Sequence, residues 1–149
     1  MKRITVRQAV LTDIEALVPL FDSYRQFYGR ESDVRRAREF LLARFNHGES
    51  TLFLAHEAGI AIGFAQLYPG FSSASLARTF VLNDLFVSES ARKKGAARLL
   101  LAAAVEFAKS LGALRVTLAT AVDNEPAQAL YQSAGWKRDE QFIVYHYTL

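Results

Sequence analysis

The 149-residue sequence contains no cysteine, which excludes disulfide bonds, thiolate zinc sites, iron–sulfur clusters and a thiol nucleophile. Proline and glycine are few, at three and eight residues, which excludes collagenous and low-complexity chains. Neither sign of charge dominates, because 18 basic residues against 15 acidic ones leave +3, and 51% of the residues are hydrophobic. This balance excludes an intrinsically disordered chain. The sequence therefore predicts a single globular domain over residues 1–149.

The sequence also lacks a long hydrophobic run suited to a membrane. The longest uncharged stretch, Ala58–Ala77, contains Gly59, Gly63 and the pair Pro69-Gly70, and it predicts a hairpin and a loop. Near the start of the chain, charged residues interrupt the apolar run that a signal peptide needs. We therefore expect a cytoplasmic protein with no membrane partner.

Metal and nucleic-acid chemistry are not expected. The three histidines, His47, His56 and His146, do not have the spacing of metal ligands, so no metal site is predicted. The modest positive charge permits an anionic ligand, but no groove-reading helix or interleaved exposed aromatics accompany it. We therefore predict no nucleic-acid partner.

Hydrophobic periodicity predicts a strand, two helices, three strands, a helix, a strand, a helix and a final strand. Pro19 lies within the first helix and should bend it or end it early. Residues Pro69–Ala77 are rich in glycine and serine and predict a loop. The strand, crossover helix and strand across Thr79–Thr120 predict a right-handed βαβ unit with parallel strands. The fold class is thus α/β (α+β), with a mixed, largely antiparallel sheet around this unit and flanking helices.

The predicted last strand, Gln141–Leu149, has apolar residues on both faces. Such a pattern suggests that the strand pairs across a homodimer. A buried central strand would give the same pattern, so the sequence leaves both interpretations open.

The most informative segment is Leu82–Ala97, where a strand ends, a polar turn follows, and a helix begins at small residues beside a cluster of cations. Gly95 and Ala97 allow the backbone to approach a ligand closely, and the first-turn N–H groups have no partner within the helix. This arrangement predicts a cradle for a pyrophosphate, with mobile positive charge from Arg92–Lys94 at its rim. A solvated basic turn before an amphipathic helix gives the same pattern.

Two runs resemble the motifs of one family. Arg92-Lys93-Lys94-Gly95-Ala96-Ala97 resembles motif A of the GCN5-related N-acetyltransferase (GNAT) superfamily, Gln/Arg-x-x-Gly-x-Gly/Ala. Asn124-Glu125-Pro126-Ala127, followed by Leu130-Tyr131 and Gly135-Trp136, looks like its motif B. The order of the predicted elements agrees with that fold over nearly the full length.

The resemblance implies a function and a branch. Leu82–Val87 and Ala121–Asn124 look most like the branch of the yeast-type histone and polyamine acetyltransferases. The implied activity is transfer of an acetyl group from acetyl-CoA directly to a primary amine, such as a small amine, a polyamine or a peptide or protein lysine, in a ternary complex. The absence of cysteine favours this route over an acetylated thiol. The alternative is a catalytically silent acyl-CoA-binding regulatory module.

The resemblance also implies where acetyl-CoA binds. The pantetheine arm would lie along Leu85–Val87 like an added strand, and the pyrophosphate would rest on the amides of Lys93–Arg98. Asn124 either caps the helix at Pro126 or contacts the cofactor arm. The expected cofactor-binding residues are Leu85, Phe86, Val87, Arg92, Lys93, Lys94, Gly95, Ala96, Ala97, Arg98, Asn124 and Ala127.

Two residues are expected to carry the chemistry. In this superfamily a tyrosine at the place of Tyr131 often protonates the departing thiolate, whose pKa is ordinarily about 8.5. A primary amine with a pKa of about 10 must lose a proton, and Asp84 is the expected base, directly or through water. The alternatives are core packing for Tyr131 and a structural, hydrogen-bonded carboxylate for Asp84.

The acceptor cleft is expected to involve Phe27, Tyr28 and Asn83. Whether Asn83 or its neighbour Asp84 faces that cleft depends on a β-bulge that the sequence does not locate. Tyr68 and Phe71 are further aromatic candidates for the cleft, and core packing explains about half of these aromatics equally well.

Overall fold

The computed structural model describes residues 3–149, which divide into two compact units. The first unit ends at Leu118 and contains a five-stranded sheet and three α-helices. The second unit, Ala119–Leu149, contains one α-helix. A single domain over residues 1–149 stays a prediction.

The sheet has the strand order β1-β2-β3-β4-β5. Its strands are β1 (Ile4–Gln8), β2 (Thr51–Glu57), β3 (Ile60–Ser72), β4 (Ala77–Val87) and β5 (Val116–Thr117). The helices are α1 (Ile14–Phe27), α2 (Val34–Asn46), α3 (Ala96–Ser110) and α4 (Glu125–Ser133). Neighbouring strands from β1 to β4 are antiparallel, whereas β5 runs parallel to β4. The predicted mixed, largely antiparallel sheet with its βαβ unit is confirmed.

Helices cover both faces of the sheet. On one face α1 and α2 enclose a core in which Leu41 and Phe64 are fully buried. On the other face the Phe107 ring of α3 meets the rings of Phe53 and Phe80, with centroids 5.6 and 5.5 Å apart. Such edge-to-face pairs add to the stabilisation from buried apolar area. No helix among residues 3–149 is long and apolar enough to span a membrane.

Of the two predicted effects of Pro19, an early end of the first helix is wrong, because α1 continues from Ile14 to Phe27, and a bend stays a prediction. Its buried face includes Leu17 and Phe21. Tertiary packing of such a face supplies most of a helix's stability in a protein, so it outweighs the hydrogen bond lost at one proline.

The predicted loop Pro69–Ala77 is also wrong. β3 continues to Ser72 and β4 begins at Ala77, which leaves only a short turn between them. Phe71 pairs with Arg78 across the strands, and the guanidinium lies 5.4 Å from the centre of the phenyl ring. This cross-strand contact supports pairing that glycine and serine alone do not favour.

The predicted final strand Gln141–Leu149 is wrong, since that segment has no strand pairing among the described residues. Its apolar side chains are exposed, for example 78% at Val144 and 91% at Tyr147. The strand predicted to reach Thr120 is likewise reduced to β5. Apolar side chains raise β-propensity, but a strand also needs a neighbour for its backbone hydrogen bonds.

Candidate active site

A β-bulge interrupts the pairing of β3 with β4. Gln66 lies opposite Asp84 and Leu67 lies opposite Leu82, so Asn83 is an extra residue with no partner in the register. Because successive side chains of a strand point to opposite faces, one extra residue reverses the facing of every residue after it. The structure thus locates the bulge that the sequence left open.

The ring contacts of β4 show the reversal. Before the bulge, Phe80 contacts Phe107 of α3. After it, Phe86 contacts Tyr24 of α1, with ring centroids 6.2 Å apart. Asp84, two residues before Phe86, therefore shares the α1 face of the sheet.

Asp84 is only 3% exposed and is held by neutral donors. Gln66 Nε2 donates to Asp84 Oδ2 at 2.5 Å, and Asn83 Nδ2 donates to Asp84 Oδ1 at 2.9 Å. The hydroxyl of Tyr24 donates to the backbone oxygen of Asn83 at 3.3 Å. No ion pair to Asp84 occurs among the described residues. The cluster is a buried carboxylate whose charge is compensated by hydrogen bonds alone.

Two phenols beside this carboxylate keep their protons. Burial raises the pKa of Tyr24 well above its usual value, and the negative charge and hydrogen bonding of Asp84 raise it further. Burial raises the pKa of Tyr68 to about 12, with an added contribution from Asp84 and an opposing one from Arg44. Both phenols are therefore hydrogen-bond donors at neutral pH.

Gln66 is a site residue that the sequence analysis missed. It is fully buried, and its Oε1 has no hydrogen-bond partner among the described residues. The available signal was a lone amide within the apolar run Gly63–Leu67. Buried polar side chains in such runs usually serve a specific hydrogen bond.

The turn before α3 has the backbone of an anion site. Lys93 and Gly95 have positive φ, at 66° and 90°. Gly95 is the N-cap of α3 and offers no side-chain cap to the first-turn amides, which include those of Ala96 and Ala97. Left-handed residues in a turn and a helix start without a side-chain cap both orient backbone N–H groups toward one point. Lys94 Nζ lies 3.3 Å from Glu57 Oε1, so that cation is paired with β2.

Arg92 differs from the expectation of a mobile cation at the rim. Its Nε donates to the backbone oxygen of Val87 at 2.9 Å. The guanidinium carbon lies 5.5 Å from the centre of the Phe27 ring and 5.6 Å from that of Phe86. Guanidinium groups stack well on aromatic faces, so Arg92 joins the end of α1 to the end of β4.

The C-terminal end of β4 has an open edge. β4 pairs with β5 only at Phe80 and Val81, so Leu85–Val87 have a strand partner on the β3 side only, among the described residues. β3 approaches closely here, since a Cβ on Gly63 would lie 2.7 Å from the Phe86 oxygen. An open strand edge can accept an extended ligand through main-chain hydrogen bonds.

An aromatic surface adjoins this end of the sheet. Phe27 and Tyr28 are both exposed, and the Tyr28 ring lies 5.0 Å from that of Tyr24. Asn83 is exposed as well, while its side chain contacts Asp84. Of the three predicted acceptor residues, Asn83 contacts Asp84 directly and Tyr28 lies beside Tyr24, whereas the Phe27 ring contacts Tyr28 and Arg92. Phe71 instead contacts Arg78 on the extended hairpin.

The second unit holds the other predicted residues. Asn124 Oδ1 accepts from the Ala127 N–H at 3.2 Å, so the capping role of Asn124 is confirmed for α4. The Tyr131 ring packs against Trp136, with centroids 6.4 Å apart. Contacts of these residues with acetyl-CoA stay predictions.

Known proteins resemble the chain over most of its length. Residues 15–136 match the sequence model of the acetyltransferase (GNAT) family. The uncharacterized N-acetyltransferase YhfO of Bacillus subtilis (strain 168) is 46% identical over 144 residues, which are 97% of this chain and 95% of YhfO.

Solved structures share the fold. The crystal structure of a probable acetyltransferase has a TM-score of 0.92 and 41% identity, covering 97% of each chain. The aminoglycoside N-acetyltransferase AAC(6')-Iy, solved in complex with CoA, has a TM-score of 0.80 at 23% identity, covering 100% of this chain and 97% of that one.

Proposed function

The chain belongs to the GNAT family of acetyltransferases, which use acetyl-CoA as the acetyl donor, and we propose that it transfers the acetyl group directly to a primary amine. The observation that carries this proposal is the buried Asp84 carboxylate on the α1 face of β4, one residue before the open edge at Leu85–Val87. A base beside an edge that can hold an extended ligand suits proton removal from an amine next to a bound acyl group.

The backbone of the first unit fits acetyl-CoA. We expect the amides of Lys93–Arg98 to hold the pyrophosphate, because the left-handed residues and the uncapped start of α3 favour an anion there. The edge of Leu85–Val87 would hold the pantetheine arm. Bound acetyl-CoA supplies the acetyl group as an activated thioester.

Asp84 is proposed to remove the proton of the amine. At neutral pH only about one amine molecule in a thousand is unprotonated when its pKa is about 10, so a base is required. A positioned general base contributes about 10²- to 10⁴-fold to the rate. The hydrogen-bonded carboxylate can take the proton directly or through a water molecule.

Tyr131 is proposed to return a proton to the sulfur of the leaving group. We expect Tyr131→Phe to lower turnover at least about tenfold with little change in acetyl-CoA affinity. The substitution removes only the hydroxyl and leaves the ring packed on Trp136, so it separates an acid from a core residue. The control is Tyr147→Phe at an exposed tyrosine of the same unit. Unchanged turnover in Tyr131→Phe would remove it as the acid.

The acceptor is proposed to enter along Phe27, Tyr28 and Asn83. The Asn83 amide contacts Asp84, and the exposed rings of Tyr28 and Phe27 follow one another from Tyr24 outward. These groups suit an amine carried on a small molecule, a polyamine or a lysine side chain. The branch of the yeast-type histone and polyamine acetyltransferases is part of this proposal. An exposed apolar segment at residues 141–149 supports homodimer formation, which light scattering of the full chain tests; a monomer at all concentrations would contradict it.

One experiment tests the function as a whole. Calorimetry with CoA measures binding, and a panel of amines is assayed for free thiol released from acetyl-CoA. We expect binding together with thiol release for a subset of primary amines. Binding without an acetylated product would support the silent acyl-CoA-binding module, and the absence of binding would contradict both. A cytoplasmic location stays a prediction.

A further inference from the structure

We propose that Gln66 is a positioning residue that fixes the Asp84 carboxylate so that its Oδ1 faces the incoming amine. The inference rests on the proposed role of Asp84 as the base. Gln66 lies directly opposite Asp84 in the register of β3 and β4, and neither side chain has appreciable exposure. A carboxylate at that depth requires donors, and Gln66 supplies the one that comes from within the sheet.

The two carboxylate oxygens have different surroundings. Oδ2 accepts from the buried amide of Gln66, whereas Oδ1 accepts from Asn83, whose residue is exposed at the bulge. An acceptor molecule can replace the side chain of Asn83 but cannot reach the interior partner. The geometry therefore makes Oδ1 the proton-accepting atom and Oδ2 the anchored one.

The unpaired oxygen of Gln66 supports a specific role. Gln66 Oε1 is buried without a partner, although a methionine or leucine would fill similar space with no polar atom to satisfy. Turning the amide over would place Oε1 against the carboxylate of Asp84. Hydrogen bonds to charged acceptors are about twice as strong as neutral ones, so the bond to Asp84 accounts for this orientation.

Other donors lie near Asp84 but do not take the position of Gln66. Tyr24 of α1 and Tyr68 of β3 also face Asp84, and the hydroxyl of Tyr24 donates to the backbone oxygen of Asn83. The bulge turns Asp84 toward the face on which these phenols lie, and Tyr24 also interacts with the Asp84 side chain by hydrogen bonding. The bond to Oδ2, however, comes from Gln66. Removal of Gln66 is therefore expected to release Oδ2 and to let the Asp84 carboxylate turn about its remaining hydrogen bonds.

The first test is Gln66→Met, which keeps the length of the side chain and removes its donor. We expect kcat with the best amine to fall by about tenfold or more, since small displacements of reacting groups are costly, while KM for acetyl-CoA stays within about twofold. The matched control is Leu67→Met, the next residue of β3, which is fully buried on the other face. A wild-type kcat in Gln66→Met would overturn the proposal.

A double-mutant cycle tests whether Gln66 affects turnover through Asp84. If Gln66 acts through Asp84, Gln66→Met causes no further loss in an Asp84→Asn background. Losses that multiply would mean that Gln66 acts elsewhere, which would also overturn the proposal. A wild-type enzyme that releases no thiol with any amine is a failure of the proposed function and is recognised before any variant is made.

An NMR measurement on the wild-type protein tests the hydrogen bond between Gln66 and Asp84 without an activity assay. It therefore applies even if Gln66→Met does not fold. In nitrogen-15-labelled protein we expect the side-chain amide protons of Gln66 to exchange slowly and to resonate away from ordinary glutamine values, and Asp84→Asn to reduce that displacement. An ordinary, rapidly exchanging Gln66 amide in the wild-type protein would show that the anchoring bond is absent.

Discussion

Both halves of β4 bury every second residue, but the buried side chains of the two halves lie on opposite faces of the sheet. Before the bulge, Phe80 and Leu82 are buried toward α3, and the strand there has β3 on one side and β5 on the other. After the bulge, Asp84 and Phe86 are buried toward α1, and within residues 3–149 only β3 pairs with the strand. A single extra residue thus separates a half that holds the sheet together from a half that presents a carboxylate beside an open edge.

The largest expected effect comes from deleting Asn83, which removes the bulge. Asp84 and the residues after it would then change faces, and the carboxylate would be directed toward α3. We expect turnover to fall by at least about 100-fold, the contribution of a general base. Thiol release from acetyl-CoA measures turnover, and circular dichroism measures whether the variant folds.

Asn83→Ala is the control for the deletion, because it keeps the extra residue and removes only the hydrogen bond to Asp84 Oδ1. Its loss of turnover should be clearly smaller than that of the deletion. A folded deletion variant with wild-type turnover would contradict the claim that the bulge directs Asp84 to the face on which it acts.

An intermediate effect is expected from the two glycines of β3 that lie opposite the two halves. In Gly63→Ala the new Cβ would lie 2.7 Å from the backbone oxygen of Phe86, which cannot move without shifting β4. We expect the free energy of unfolding in urea to fall by about 1–3 kcal/mol.

Gly70→Ala is the matched substitution, since its Cβ would meet only the hydroxyl of Thr79, at 3.0 Å. That side chain can rotate, so we expect a change within about 0.5 kcal/mol. Equal losses at the two glycines would contradict the tighter approach of β3 to the second half of β4.

The smallest effect is in the titration of Tyr68. Burial, with help from the Asp84 charge, raises the pKa of Tyr68 to about 12 from 10 in the unfolded chain. The folded state therefore favours the neutral phenol, and this contribution to stability is complete below pH 10 and lost as the pH rises from 10 to about 12. In Asp84→Asn the pKa of Tyr68 should decrease while remaining raised by burial. Ultraviolet absorbance of tyrosinate measures the pKa of Tyr68 in the wild type and in the variant. An identical pKa in the two proteins would show that Asp84 does not contribute to the raised pKa of Tyr68.

The sequence was sufficient for the elements that local chemistry determines. The helix after Gly95, the capping of α4 by Asn124 and the parallel pairing of β4 with β5 all follow from caps, periodicity and crossover rules. The motif residues Arg92–Ala97 also indicated the family that the comparisons establish.

Register and side-chain partners could not be predicted. Phe80, Leu82, Asp84 and Phe86 are evenly spaced, so periodicity alone places them on one face. Their division between two faces depends on which residue of β3 lies opposite each one. This register is set by distant parts of the chain and cannot be deduced from a short stretch of sequence. Gln66 was missed for the same reason, since its role exists only opposite Asp84.

The extended hairpin has a consequence for local motion. Its outer part, Gly70–Ser72 with Ala77–Thr79, pairs with no third strand among the described residues, although the Arg78 oxygen accepts a backbone hydrogen bond from Leu114 N–H at 2.7 Å. Two-stranded ribbons are marginal on their own, and regions with little burial open more readily than the rest of a domain. Backbone amides near this tip should therefore exchange with deuterium long before those of Phe64 and Leu67, and within the first unit a protease should find an early site there.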